Sequence, residues 1–168
     1  SHLSIIDGAG NAVAMTTSIE NGFGSRLMVG GFLLNNQLTD FSFRSQINGR
    51  PVANSVAPDK RPRSSMAPTL VFDSAGRLRL VTGSPGGSRI IGFVARDILA
   101  VLDGGLSPQA AAALPHVLNR NGPTELEAGT AAEGLRAPLE RLGHAVRLDA
   151  MTSGLHLITV TPEGLRAG

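Results

Sequence analysis

Apolar and polar positions divide the chain into short strands first, helices next and strands again. Residues 3–7 and 12–19 carry a strand pattern on either side of Asp7-Gly8-Ala9-Gly10-Asn11, a strong turn signal. Gly22-Phe23-Gly24-Ser25 interrupts the pattern, and Gly31-Phe32-Leu33-Leu34 resumes it before Asn35-Asn36. Residues 43–63 are polar, contain Pro51, Pro58 and Pro62, and read as a long surface loop. Thr69–Phe72 and Arg77–Thr82 flank Asp73-Ser74-Ala75-Gly76 as a second hairpin. Helical spacing then predicts a helix from about Arg89 to Leu102, and a shorter one after Ser107-Pro108, an N-cap and first-turn pair. Ala131, Leu135, Leu139 and Leu142 predict a third helix over 131–142, and Ala145–Leu148 and Leu155–Val160 read as late strands. This order favours a layered α+β domain over a doubly wound sheet.

The 168 residues, 42% hydrophobic and 17% charged, suit one domain, 1–168, with a real core. No apolar run reaches the roughly 18 residues of a transmembrane helix. The net charge is only +2, and no Lys/Arg cluster interleaved with aromatics appears, which argues against nucleic acid. Without cysteine there are no disulfides and no thiolate zinc site. The histidines, His2, His116, His144 and His156, have no ligand neighbours at metal spacing. The expectation is no metal and no cofactor.

Gly83-Ser84-Pro85-Gly86-Gly87-Ser88 is the most informative local feature, because it joins a strand to a helix. Its glycines let backbone amides approach a ligand, and a helix N-terminus adds free N–H groups, so the loop suits an anion. That anion is either a phosphate or the oxyanion of acyl transfer. No Walker lysine follows, and a tight, well-capped turn explains the same residues. Lys60-Arg61-Pro62-Arg63-Ser64-Ser65 sets hydroxyls beside cations, which alone suits a solvated loop. Gln37 and Asp40 after Asn35-Asn36 suit either a site or an Asx-turn.

Taken in order, these blocks resemble the small, C-terminal subunit of gamma-glutamyltransferases along nearly the whole chain. The resemblance runs through His2-Leu3-Ser4-Ile5-Ile6-Asp7, Gly10-Asn11-Ala12-Val13-Ala14, Thr16-Thr17-Ser18-Ile19-Glu20 and Leu33-Leu34-Asn35-Asn36-Gln37 with Asp40-Phe41. Its two most specific blocks are Lys60-Arg61-Pro62-Arg63-Ser64-Ser65-Met66 and Thr82-Gly83-Ser84-Pro85-Gly86-Gly87-Ser88-Arg89. The resemblance implies the four-layer αββα sandwich of N-terminal-nucleophile hydrolases. This chain would supply central strands of one sheet and one helical layer, completed by a large subunit cut from the same precursor. It also implies a terminal threonine, one residue before Ser1, that attacks gamma-glutamyl amides such as glutathione and passes the acyl group to water or an acceptor amine.

Carried over position by position, the resemblance makes Gly86 and Gly87 the oxyanion hole and Ser18 a hydroxyl that hydrogen-bonds the nucleophile. Asp40 and Gln37 would hold the substrate's α-amino group, and Ser64 and Ser65 its α-carboxylate. Glu20 stands where several glutathione-cleaving members carry Asn, which alters the polarity of the pocket. The loop over 43–59 is shorter than in some bacterial members. Three alternatives stay open: a glutaryl acylase, a depolymerase of poly-gamma-glutamate, and a non-catalytic paralogue. Bacterial relatives suggest a periplasmic or secreted address, with the cytoplasm also open.

Overall fold

The computed structural model describes residues 1–168, which form two compact units. One comprises Ser1–Thr16 with Ser65–Gly168, and the other Thr17–Ser64.

In the first unit, β1 (His2–Ile6) and β2 (Ala12–Thr16) form an antiparallel hairpin. The second unit contains two minimal hairpins, β3 (Met28–Val29) with β4 (Phe32–Leu33) and β5 (Gln46–Ile47) with β6 (Arg50–Pro51). Back in the first unit, β7 (Thr69–Phe72) and β8 (Leu78–Gly83) lead through a 3-10 turn, Gly87–Arg89, into α1 (Ile90–Leu102) and α2 (Pro108–Ala112). Then come β9 (Val117–Asn119), β10 (Thr124–Glu127), a 3-10 turn over Ala131–Leu135, α3 (Arg136–Arg141), β11 (Val146–Asp149), β12 (His156–Thr161) and β13 (Gly164–Ala167).

Strand β8 is the spine of the first unit, in a sheet ordered β13-β12-β8-β7. Leu80, Val81 and Thr82 are all fully buried, and successive strand residues face opposite ways, so both faces of β8 are covered. Leu80 and Leu157 pack with Ala111, Ile98 and Val101 beneath α1 and α2. The β1–β2 hairpin covers the other face: the His2 ring lies so close to Gly83 that an added Cβ would sit 2.1 Å from it. The unit is therefore layered as helices, sheet and hairpin. This corrects the expectation of one sheet and one helical layer, because the opening hairpin adds a second β layer. Its outward face, with Ile5 opposite Val13 and Leu3 opposite Met15, leaves Ile5, Val13 and Met15 roughly half exposed.

Both hairpins of this unit that the turn signals predicted use one device. Asp7 Oδ1 accepts the amides of Ala9 and Asn11, and Asp73 Oδ1 accepts those of Ala75 and Arg77. Ser107 caps α2 as expected, accepting the amide of Ala110 at 3.3 Å.

Other expectations shift. The strand over 12–19 stops at Thr16, because Ser18 Oγ accepts the Glu20 amide at 2.8 Å and Glu20 turns to φ +72°. The helix over 131–142 splits into a 3-10 turn and α3, since Pro138 has no N–H to give Gly134 and its ring crowds the preceding turn. Inside the supposed loop 43–63, Asn48 (φ +51°) and Gly49 (φ +75°) build the tight turn between β5 and β6. Strands β9 and β10 were not expected, and they join the expected late strand, β11, in a sheet ordered β11-β10-β9. No helix is long and apolar enough to cross a membrane.

Candidate active site

The residues singled out from the sequence fall into two groups, one in each unit. In residues 17–64, Ser18, Glu20, Gln37 and Asp40 sit on two turns joined by Asn36. The Asn36 amide nitrogen donates to Glu20 Oε2 at 2.6 Å and to Thr39 Oγ1 at 3.0 Å, while its oxygen accepts the Asn21 amide at 3.0 Å. The backbone N–H of Asn36 also donates to the Ile19 carbonyl at 3.2 Å.

The following 3-10 turn, Gln37–Asp40, opens on an Asx-turn in which Asn35 Oδ1 accepts the Gln37 amide at 2.9 Å. Gln37 Nε2 donates to Asp40 Oδ2 at 2.5 Å. The Asx-turn is therefore present, and it brings the Gln37 amide onto a half-buried carboxylate. Ser64 is exposed at the end of the same unit. Lys60 is committed to structure, because its ammonium donates to the carbonyls of Ala53 and Ser55 at 2.6 and 2.9 Å.

In the other unit, Ser65 begins the segment leading into β7, and Gly86 and Gly87 close the loop after β8. Gly86 has φ +140°, and a Cβ there would meet the Phe93 ring at 2.6 Å. Only glycine fits, because Phe93 is fully buried. Gly87 (φ +59°) opens the 3-10 turn, where N–H groups lack partners from the turn itself. Ser84, fully buried, fixes the loop from below: its hydroxyl donates to the Pro85 carbonyl at 2.6 Å and accepts the Gly154 amide at 3.3 Å.

The loop is also anchored at its far end, which the sequence reading missed. Arg89 donates through Nε to Glu125 Oε2 at 2.7 Å and through Nη2 to Asp149 Oδ2 at 2.5 Å. Arg120 and Arg147 share Glu125 Oε1, and Arg120 also bonds Ser88 Oγ. Burial pushes the Glu125 carboxyl up, but its bonds to Arg120 and Arg89 outweigh this and hold it below the usual carboxylate range. These partners lie 36 and 60 residues from Arg89, so no local pattern reveals them.

Nearby, His116 stacks on Phe93 with ring centroids 3.9 Å apart, and its Nε2 lies 2.8 Å from Ser153 Oγ. Burial, helped by the charge of Arg96, lowers its pKa to about 4. At the N-terminal strand, His2 Nδ1 lies 2.8 Å from Thr16 Oγ1 and Nε2 3.1 Å from Ser4 Oγ. Burial and the neighbouring His156 keep His2 below its ordinary value. No group of three or more His, Asp or Glu side chains is placed to hold a metal ion.

The family model described as Gamma-glutamyltranspeptidase matches residues 1–168. The chain belongs to the gamma-glutamyltranspeptidase family. It is 40% identical to the glutathione hydrolase proenzyme of Escherichia coli over 97% of its own length, and spans 29% of that relative. It is 31% identical to the acylase ACY 1 proenzyme of a Pseudomonas species over 99% of the chain, again spanning 29% of the relative. Among solved structures, the Helicobacter pylori gamma-glutamyltranspeptidase T380A mutant superposes with a TM-score of 0.84 at 31% identity, over 99% of this chain and 95% of that one. The α+β fold of the N-terminal-nucleophile type expected from the sequence is thus the family's own, with the helix, sheet and hairpin layers of the first unit as part of it.

Proposed function

We propose that this chain is the small subunit of a gamma-glutamyl hydrolase or transpeptidase, working with a large subunit cut from the same precursor. The name proenzyme carried by relatives, of which the chain spans 29%, supports such a partner, as does the outward apolar face of the first hairpin. In this reading a threonine one residue before Ser1 is the nucleophile. Its hydroxyl adds to the gamma-glutamyl carbonyl while its own α-amine takes the proton. The tetrahedral oxyanion is met by the amides of Gly86 and Gly87, and collapse expels the amine, which leaves with that proton. Water or an acceptor amine then attacks the ester and restores the threonine.

Asp40 and Gln37 receive the substrate's α-ammonium, with Glu20 adding a second carboxylate. Ser64 and Ser65 receive the α-carboxylate, and Ser18 holds the nucleophile's hydroxyl. The observation that carries the substrate assignment is the Gln37-bound Asp40 carboxylate, a charge-assisted acceptor suited to an ammonium. A glutaryl acylase, the second reading, is favoured by the acylase relative, but its substrate has no ammonium for Asp40. Poly-gamma-glutamate remains within the same substrate class. The test is the matured two-subunit protein on γ-glutamyl-p-nitroanilide and glutaryl-p-nitroanilide. Preference for the first is expected; equal rates, or preference for the second, overturn the assignment to α-amino substrates.

A further inference from the structure

One side chain inside residues 17–64 joins the two elements assigned to the substrate's charged groups. Asn54 Nδ2 donates to the backbone carbonyl of Asp40 at 2.6 Å, and Asn54 Oδ1 accepts the backbone N–H of Arg63 at 2.9 Å. Asp40 is the proposed ammonium contact, and Arg63 immediately precedes Ser64, a proposed carboxylate contact. The two bonds have opposite polarity, so they fix the orientation of the amide: flipped, it would set oxygen against oxygen and N–H against N–H.

The backbone of Asn54 is held as firmly. Its carbonyl accepts the Ser42 amide at 2.9 Å, and Lys60 clamps the carbonyls on either side, at Ala53 and Ser55. Sequence separations of 14 and 9 residues are thereby closed by one residue in a segment that has little regular structure of its own. Neither bond is to a side chain that touches substrate, so Asn54 acts only through backbone placement.

We propose that Asn54 is a positioning residue that sets the spacing between the ammonium contact at Asp40 and the carboxylate contact at Ser64. It thereby selects a ligand carrying both groups on one carbon. The inference rests on the substrate reading above. The two groups are bonded to the same carbon of one small ligand, so a shift of a fraction of an ångström between their partners spoils simultaneous binding while sparing binding through either group alone.

The matured two-subunit enzyme is assayed on γ-glutamyl-p-nitroanilide with three competitors: L-glutamate, glutarate, which lacks the ammonium, and 4-aminobutyrate, which lacks the carboxylate. In Asn54→Ala the KM and the inhibition constant of L-glutamate should rise about tenfold, the order expected from one or two lost hydrogen bonds. The kcat and the constants for glutarate and 4-aminobutyrate should stay within about twofold. Equal weakening of all three competitors, or of none, overturns the proposal. If Asn54→Ala does not assemble, Asn54→Asp keeps the acceptor for Arg63 and loses the donor to Asp40. Wild-type constants in that variant overturn the proposal, and selective loss of L-glutamate upholds it. A wild-type enzyme with no preference for L-glutamate over the single-group acids sinks the substrate reading and Asn54 with it. A preference kept intact in the variants sinks Asn54 alone.

Discussion

The two compact units hold their shape by different means. In Ser1–Thr16 with Ser65–Gly168, a buried sheet covered on both faces carries the glycine loop, and the loop's form follows from packing: Phe93 beneath Gly86, Ser84 beneath Pro85, Arg89 on Glu125. In Thr17–Ser64 only Gly24 and Phe41 are buried, and the order comes from asparagine, glutamine and serine side chains bonding backbone groups. A packed core resists small displacements, whereas a frame of polar turns depends on a few bonds worth about 1 kcal/mol each. The contrast predicts opposite signatures for mutations in the two units.

The largest effect belongs to the polar unit. Asp40→Ala should cut kcat/KM for γ-glutamyl substrates by about 10²–10³-fold, because a desolvated ammonium loses a partner worth roughly 2–5 kcal/mol. Its melting temperature should barely move, since the only side chain bonded to its carboxylate is Gln37. Kinetics and melting on one preparation decide the matter, and a lowered melt with normal kcat/KM would make Asp40 a turn-former only.

Gly86→Ala should damage both quantities. The new Cβ meets a ring that cannot retreat, and φ +140° is strained for any side chain. A stability loss of about 2–3 kcal/mol and a kcat loss of about 10²-fold are expected. Calorimetry and single-turnover kinetics check this, and an unaltered melt would break the packing half of the contrast.

That half of the molecule was also the more legible one. Alternation over the first hairpin, the Asp7 and Asp73 turns, the Ser107 cap and the helical spacing of α1 are local signals, and local physics honours them. Strands β9 and β10 escaped because they are short and their buried positions include Thr124 and Glu125, which no periodicity assigns to a core. The polar unit has almost no period to read. Asn48-Gly49 was a missed hairpin signal, and Asn36 and Asn54 gain their roles only from partners that folding brings in. There the family motif, and not the hydrophobic pattern, drew attention to Gln37, Asp40 and Ser64.

A smaller effect sharpens the contrast through pH. Above about pH 6.5 the His116 imidazole is neutral whether folded or unfolded. As pH falls toward 4, the unfolded chain takes up a proton that the folded one refuses, so stability drops through that window. At pH 5 the loss is about 2 kcal/mol, from 1.36 kcal/mol per pH unit. Hydrogen exchange at pH 7 and 5 should show the loss in the sheet-based unit, and His116→Phe, which keeps a ring on Phe93, should flatten it. A slope unchanged in that variant would assign the acid sensitivity elsewhere.

The central claim is that the chain serves a γ-glutamyl-ester mechanism on a terminal threonine. The matured protein, mixed with a γ-glutamyl amide and quenched in acid during turnover, can be digested and its peptides weighed. The account predicts one γ-glutamyl adduct, on the threonine that precedes Ser1, increased when hydroxylamine-free quenching is fast and lost on standing with water. Turnover with no adduct there, or an adduct on another residue, contradicts it.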